Sequence, residues 1–326
     1  VLELAGETGK APQELAEALY FLRSSGLEGA EAMEALEMAA KGSAAGLGDT
    51  VAVADAVSSA MNTYAESGLS AAEATDVLVA TAREGKAEPG ELANQMGRLL
   101  PIAGELGITF QDVGAGLAAL SLKGGGAAGA STKLTNIMAK LLKPSQQAME
   151  LMAEVGIGLE DIKAIIEERG LLGALEMLRA ELGDNGFTKF LEDQEAIQGG
   201  MALTGGEVEK NREIFEALND SVGATDKAFE NWAESMGAKN AQAWAKFQAA
   251  LIRLGDTIAP LATDLIGFAS KTLEWFEKLP DPVKRLAAVL VIATAAAGPL
   301  LSIFGRVTSL VSGGMKLGSS FLNWAS

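Results

Sequence analysis

Gly68-Leu69-Ser70-Ala71-Ala72-Glu73-Ala74 reads as the end of one helix and the start of the next. The glycine supplies a helix stop, the leucine an apolar staple, and Ser70 with Glu73 a capping box, in which serine and glutamate side chains satisfy each other's backbone N–H groups. Gly107-Ile108-Thr109-Phe110-Gln111-Asp112-Val113 repeats the pattern 39 residues on, and Gly26-Leu27-Glu28-Gly29-Ala30-Glu31-Ala32 echoes it 42 residues earlier without the Ser/Thr cap. Such punctuation recurs in many helical chains; as a true repeat it stacks helical hairpins.

Working outward, the segments between these stops carry helical periodicity. Pro12 starts a helix that ends before Gly26, with Leu15, Ala18, Leu19 and Leu22 on one face. The same spacing joins Val53, Val57, Ala60, Met61 and Tyr64; Ala74, Val77, Leu78 and Thr81; Leu134, Ile137, Met138 and Leu141; and Leu171, Leu175, Leu178 and Leu182. Extended β-branched alternation is almost absent. The expected fold is all-α: short amphipathic helices in a helical-hairpin array, then a kinked coiled-coil-like helix and a hydrophobic helix.

Four segments are expected: a helical core domain over 1–183, a Gly-rich linker region with short helices over 184–227, a kinked self-associating helix over 228–280, and a hydrophobic membrane-grade segment with a basic tail over 281–326. Gly199-Gly200 and Gly205-Gly206 mark the linker. Gly124-Gly125-Gly126 predicts a flexible loop, or a close approach of backbones, between helices over 113–123 and 132–142. Trp244, Phe247, Leu251, Leu254, Ile258, Leu261, Leu265 and Phe268, continued by Thr272 and Trp275, step by three and four, a 3.5-residue period that makes a self-association seam. Gly255 and Pro260 interrupt it, and Pro260 predicts a kink.

Asp281-Pro282 then opens a further helix, and the 19 residues 286–304 carry no charge, long enough for a membrane segment through Leu286, Val289, Leu290, Val291, Ile292, Pro299, Leu300, Leu301, Ile303 and Phe304. Six alanines and Gly298-Pro299 fit a buried, kinked helical hairpin equally well. Val1 falls in mid-pattern with no signal peptide, so a piece of a longer protein is expected.

The chain has 326 residues and a formal charge of −17, and Pro282–Ser326 holds Lys284, Arg285, Arg306 and Lys316 without an acid, which leaves −21 on residues 1–281. Such a body repels phosphates, so no sequence-specific nucleic-acid partner is expected. With no cysteine and no histidine, thiolate nucleophiles, Ser-His triads, disulfides and nitrogen or sulfur metal ligands are excluded. Carboxylate chemistry stays open, through Glu167-Glu168 or Glu207 with Glu209, but with 43 acids such pairs are expected on solvated helix faces. Gly6-Glu7-Thr8-Gly9-Lys10-Ala11 lacks the first glycine and the Ser/Thr of a phosphate loop and reads as a turn. Gly124-x-Gly126-x-x-Gly129 and Gly114-x-Gly116-x-x-Ala119 lack the strand a dinucleotide site needs. Phe229, Trp232, Met236, Trp244 and Phe247 read as helix-packing residues.

One stretch carries a resemblance. Residues 82–156, especially Glu91-Leu-Ala-Asn, Ile102-Ala-Gly-Glu-Leu-Gly-Ile-Thr-Phe-Gln-Asp-Val-Gly-Ala-Gly-Leu-Ala-Ala-Leu, Gly129-Ala-Ser-Thr-Lys-Leu and Leu141-Leu-Lys-Pro, resemble the core of phage tail tape-measure proteins, the phage-related minor tail proteins. Residues 247–305, with Ile258-Ala-Pro-Leu, Leu279-Pro-Asp-Pro-Val-Lys and Gly298-Pro-Leu-Leu, are similar to the segment that follows. The resemblance implies a large, mainly helical structural protein in the virion, in the lumen or at the tip of a tail, whose length sets tail length. On ejection it helps DNA cross the host envelope and meets the host membrane. It implies a homo-oligomer, with a trimer favoured, contacting tail-tube and tail-tip proteins, and it carries no catalytic, cofactor or metal residues. A bacterial pore-forming or secretion translocator protein is the alternative. One continuous helix of this length would span about 490 Å, and glycine-broken helices cannot, so a compact module is expected.

Overall fold

The computed structural model describes residues 1–86 and 89–277, and the side chains of these except at 89, 92, 93 and 257–277. Fourteen α-helices and no strand occur among the described residues: α1 (Leu2–Thr8), α2 (Pro12–Ser24), α3 (Gly29–Gly42), α4 (Thr50–Thr63), α5 (Ala71–Glu84), α6 (Pro89–Leu106), α7 (Phe110–Ser121), α8 (Gly126–Leu142), α9 (Gln146–Glu154), α10 (Leu159–Leu191), α11 (Gln194–Thr204), α12 (Val208–Asn219), α13 (Ala224–Ala233) and α14 (Met236–Glu277). A π-helical turn over Ser43–Leu47 follows α3. The chain divides into two compact units, Val1–Ile252 and Arg253–Ser326. The all-α expectation holds.

The stop-start motifs form as their residues predict. Gly26, Gly68 and Gly107 take φ of 100°, 71° and 73°, a region that glycine enters without the steric penalty of a Cβ. At α5 the Glu73 N–H donates to Ser70 Oγ at 3.2 Å and the Ser70 N–H donates to the Glu73 carboxylate at 2.9 Å. At α7 the Asp112 N–H donates to Thr109 Oγ1 at 3.1 Å. The staple residues Leu27 and Ile108 are buried. Hairpins α4–α5 and α6–α7 lie side by side, α4 on α6 and α5 on α7.

α7 is the centre of the first unit. Apart from Gln111, every residue from Phe110 to Ser121 is buried. A helix apolar all round has to be enclosed, and α5, α6, α8, α10, α11 and α12 surround it. Its glycines set the spacing: a Cβ at Gly114 would come within 3.0 Å of Val77 Cγ1, and one at Gly116 within 3.1 Å of Leu134 Cδ1. These small residues let α5 and α8 approach closely enough to seal the core.

Two glycine runs are more helical than their residues alone suggest. Residues 184–227 are part of the first compact unit: Gly199 and Gly200 lie inside α11, buried, where a Cβ would meet Ile137 of α8 at 2.8 Å or Leu191 at 2.5 Å. Periodicity reads a glycine pair as a loop, whereas here it is the contact surface of a helix. The Gly124–Gly126 loop is also shorter than expected, because α8 begins at Gly126 with Gly125 in the left-handed region at φ 89°. α14 continues to Glu277 through Gly255 and Pro260, neither of which ends it. The expected Pro280–Pro282 hinge, the membrane segment 286–304 and its Gly298-Pro299 kink lie outside the described residues, as do the side chains of Ile258, Leu261, Leu265 and Phe268.

Candidate functional site

No described helix is long and apolar enough to cross a membrane, and no described group of acidic residues is arranged to hold a metal ion. The motifs set aside in the sequence stay structural. Gly9 is the left-handed cap of α1, Gly114 and Gly116 pack inside α7, and Glu167 and Glu168 are exposed on α10. Lys123 pairs with Glu207 and holds its carboxyl below the usual carboxylate range; Glu209 pairs with Arg212 at 2.5 Å.

Two buried carboxylates do a different job, one the sequence did not disclose. Asp112, at the third position of α7, sends its Oδ2 to accept the Leu171 N–H at 2.7 Å. That N–H is freed because α10 is broken at Gly170, with φ 71° and ψ −176°, and again at Gly183. Burial pushes the Asp112 carboxyl above its ordinary value, and the Leu171 N–H partly offsets this. Burial, then the Asp112 charge, raises the neighbouring Tyr64 phenol, whose OH donates to the Ile108 carbonyl at 2.8 Å. Asp76 of α5 plays the same part for α13, accepting the Gly223 N–H at 2.7 Å and the Thr225 N–H at 2.8 Å. In each case a carboxylate from one helix satisfies orphan donors of another. Asp112 was legible only as a cap, and nothing in its spacing marks Asp76.

The surface with functional potential is on α14. Ala238, Ala245 and Ala249 are buried, and Ala245, 1% exposed, joins the core of the first unit. Beside this alanine face Gln242 Nε2 donates to the Glu7 carbonyl at 2.6 Å, and Gly9 leaves room for Ala241. The next face holds the described part of the seam: Trp244 is 61% exposed, Phe247 52%, Leu251 50% and Leu254 53%, so four large apolar side chains at spacings of three and four lack cover among the described residues. Trp244 and Phe247 stack with ring centroids 5.5 Å apart. Met236 is exposed as well, so of the five residues expected to pack, only Phe229 and Trp232 are partly buried, stacked at 5.4 Å. The sequence period groups these four residues on one face; the fold shows that the alanines, not the aromatics, face inward.

The described residues form an acidic, all-helical body with an uncovered apolar helix face on α14. The chain belongs to the phage-related minor tail protein family, whose model matches residues 1–205. It is also 24% identical over 314 residues to a protein described as a tape measure protein of Pneumococcus phage Dp-1. That alignment covers 95% of this chain and 27% of the relative, so the chain spans about a quarter of the relative's length. No solved structure matches. Proteins of this family are structural components of the phage tail.

Proposed function

We propose that the chain is a helical module of a tape-measure protein whose parent sets tail length and assists DNA passage across the host envelope on ejection. The module works as a homo-oligomer, with a trimer favoured, in the tail lumen or tip, against tail-tube and tail-tip proteins, and without enzymatic activity. The observation that carries this reading is the exposed apolar face at Trp244, Phe247, Leu251 and Leu254. Fully burying one such side chain is worth about 1.5–3 kcal/mol, so four together are a costly surface to leave in water. Their 3.5-residue period matches a copy of the same helix in a left-handed bundle. The acidic body opposes close approach of copies, and on this reading the seam overcomes that repulsion.

Trp244→Glu with Leu251→Glu is expected to convert a concentration-dependent oligomer into a monomer in sedimentation equilibrium. Added salt should strengthen wild-type association by screening the acidic bodies. An unchanged mass for the double variant removes self-association from the reading. The length role is tested in the phage. In-frame deletions elsewhere in the parent gene should shorten tails in electron micrographs in proportion to the residues removed, and unchanged tails refute it.

A further inference from the structure

α13 is joined to the rest of the first unit in an unusual way. It packs on α3, α5 and the Ser43–Leu47 turn, with Ala224 and Thr225 buried and Ala228, Phe229 and Trp232 half-buried. Beneath it lies a cleft of about 400 Å³ lined by Leu47, Val79, Ala82, Ala224 and Ala228, with Arg83 and Lys227 among its polar residues. The Thr225 hydroxyl is buried without a hydrogen-bond partner among the described residues. Against these weak points stand two fastenings: the Asp76 carboxylate on the Gly223 and Thr225 N–H groups, and the exposed Lys41–Asp226 pair at 3.0 Å. Exposed pairs contribute little, so the hold on the helix start is concentrated in one side chain of α5.

Two residues separate α13 from α14, whose own start is held on the first unit by buried Ala238 and by Gln242 on the Glu7 carbonyl, so α13 can open without it. We infer that α13 is a catch, set by Asp76, which opens locally while the α7-centred core stays folded. Segments that move are drawn from the low-stability end of a structure, and the open cleft beside α13 and its buried unpaired hydroxyl together place α13 there. This goes beyond the assembly role proposed above, and either can fail without the other.

Amide hydrogen exchange of the 326-residue protein, followed by mass spectrometry, tests it. In the wild type the amides of 224–233 are expected to exchange about tenfold or more faster than those of α7. Asp76→Ala should speed 224–233 by about a further tenfold, the scale of losing a helix N-cap, and leave α7 unchanged. Asp76→Asn, which keeps one acceptor oxygen, should fall between them. A merely structural role would accelerate α7 and α13 together. Ala228→Leu, which fills the cleft, should slow exchange in α13 alone and serves if Asp76→Ala does not fold. Wild-type protection of α13 equal to that of α7, a parallel change in both helices, or no effect of Ala228→Leu overturns the inference.

Discussion

Phe110→Ala is expected to cost about 3–5 kcal/mol, the largest loss of any single truncation proposed for this chain. Phe110 opens α7, is 1% exposed, and lies with its ring centroid 6.0 Å from that of Tyr64. Truncation removes the transfer free energy of the ring and leaves a cavity where α4, α6 and α7 meet, and backbone held by the Thr109 cap and the Tyr64–Ile108 hydrogen bond cannot collapse into it. Domains of this kind have about 5–15 kcal/mol in total, so the variant should lose a large part of its urea midpoint and could be recovered mostly unfolded. Tyr20→Ala, at a ring 77% exposed, should stay within about 0.5 kcal/mol. A shift for Phe110→Ala no larger than for Tyr20→Ala would contradict the central place assigned to α7.

Gly170→Ala is the second. With φ 71° and ψ −176°, Gly170 sits where essentially only glycine is found, a strain of about 1–3 kcal/mol for another residue. A Cβ there would also fall 2.5 Å from Asp112 Oδ2, so the carboxylate has to leave the Leu171 N–H, at a further cost of about 1.5–3 kcal/mol. Calorimetry should show a fall in Tm far larger than for an alanine at Gly206, which has open space around it. The same clamp gives a pH signature. The Asp112 carboxyl is raised by burial, so the protonated form fits the fold better. Its contribution to stability is fully present below the ordinary aspartate value and is lost as pH rises through the raised one. Asp112→Asn keeps an acceptor for Leu171 and removes that slope. The difference between wild type and Asp112→Asn should therefore grow in favour of the variant as pH rises through this window, and a constant difference would show that the charge is not felt there.

Much of the fold was legible because helix punctuation is local. Ser70 with Glu73 and the glycines at 26, 68 and 107 needed no partner from elsewhere to declare a stop and a start. The apolar stripes through Leu15, Val57, Leu78 and Leu134 likewise named their buried faces. The glycine pair at 199–200 misled because glycine serves both loops and close helix contacts, and only contact with Ile137 of α8 and Leu191 at the end of α10 shows which applies.

The candidate site divides in the same way. The seam Trp244, Phe247, Leu251 and Leu254 follows from its 3.5-residue period, a property of the residues alone. That it faces outward depends on the opposite side of α14 meeting α1, where Gln242 bonds the Glu7 carbonyl and Gly9 leaves room for Ala241, more than 230 residues away in the chain. Asp76 and Asp112 make the division sharpest. Sequence by itself determined that the chain is helical, acidic, free of thiol and imidazole chemistry, and punctuated at Ser70 and Thr109. Only the tertiary structure decided that α7 would be enclosed, that α10 would break at Gly170, and that two carboxylates would be spent on the orphan N–H groups of other helices. Local dihedral preferences and capping are written within a few residues, whereas the desolvation of a carboxylate and the donor that compensates it exist only once distant helices have met.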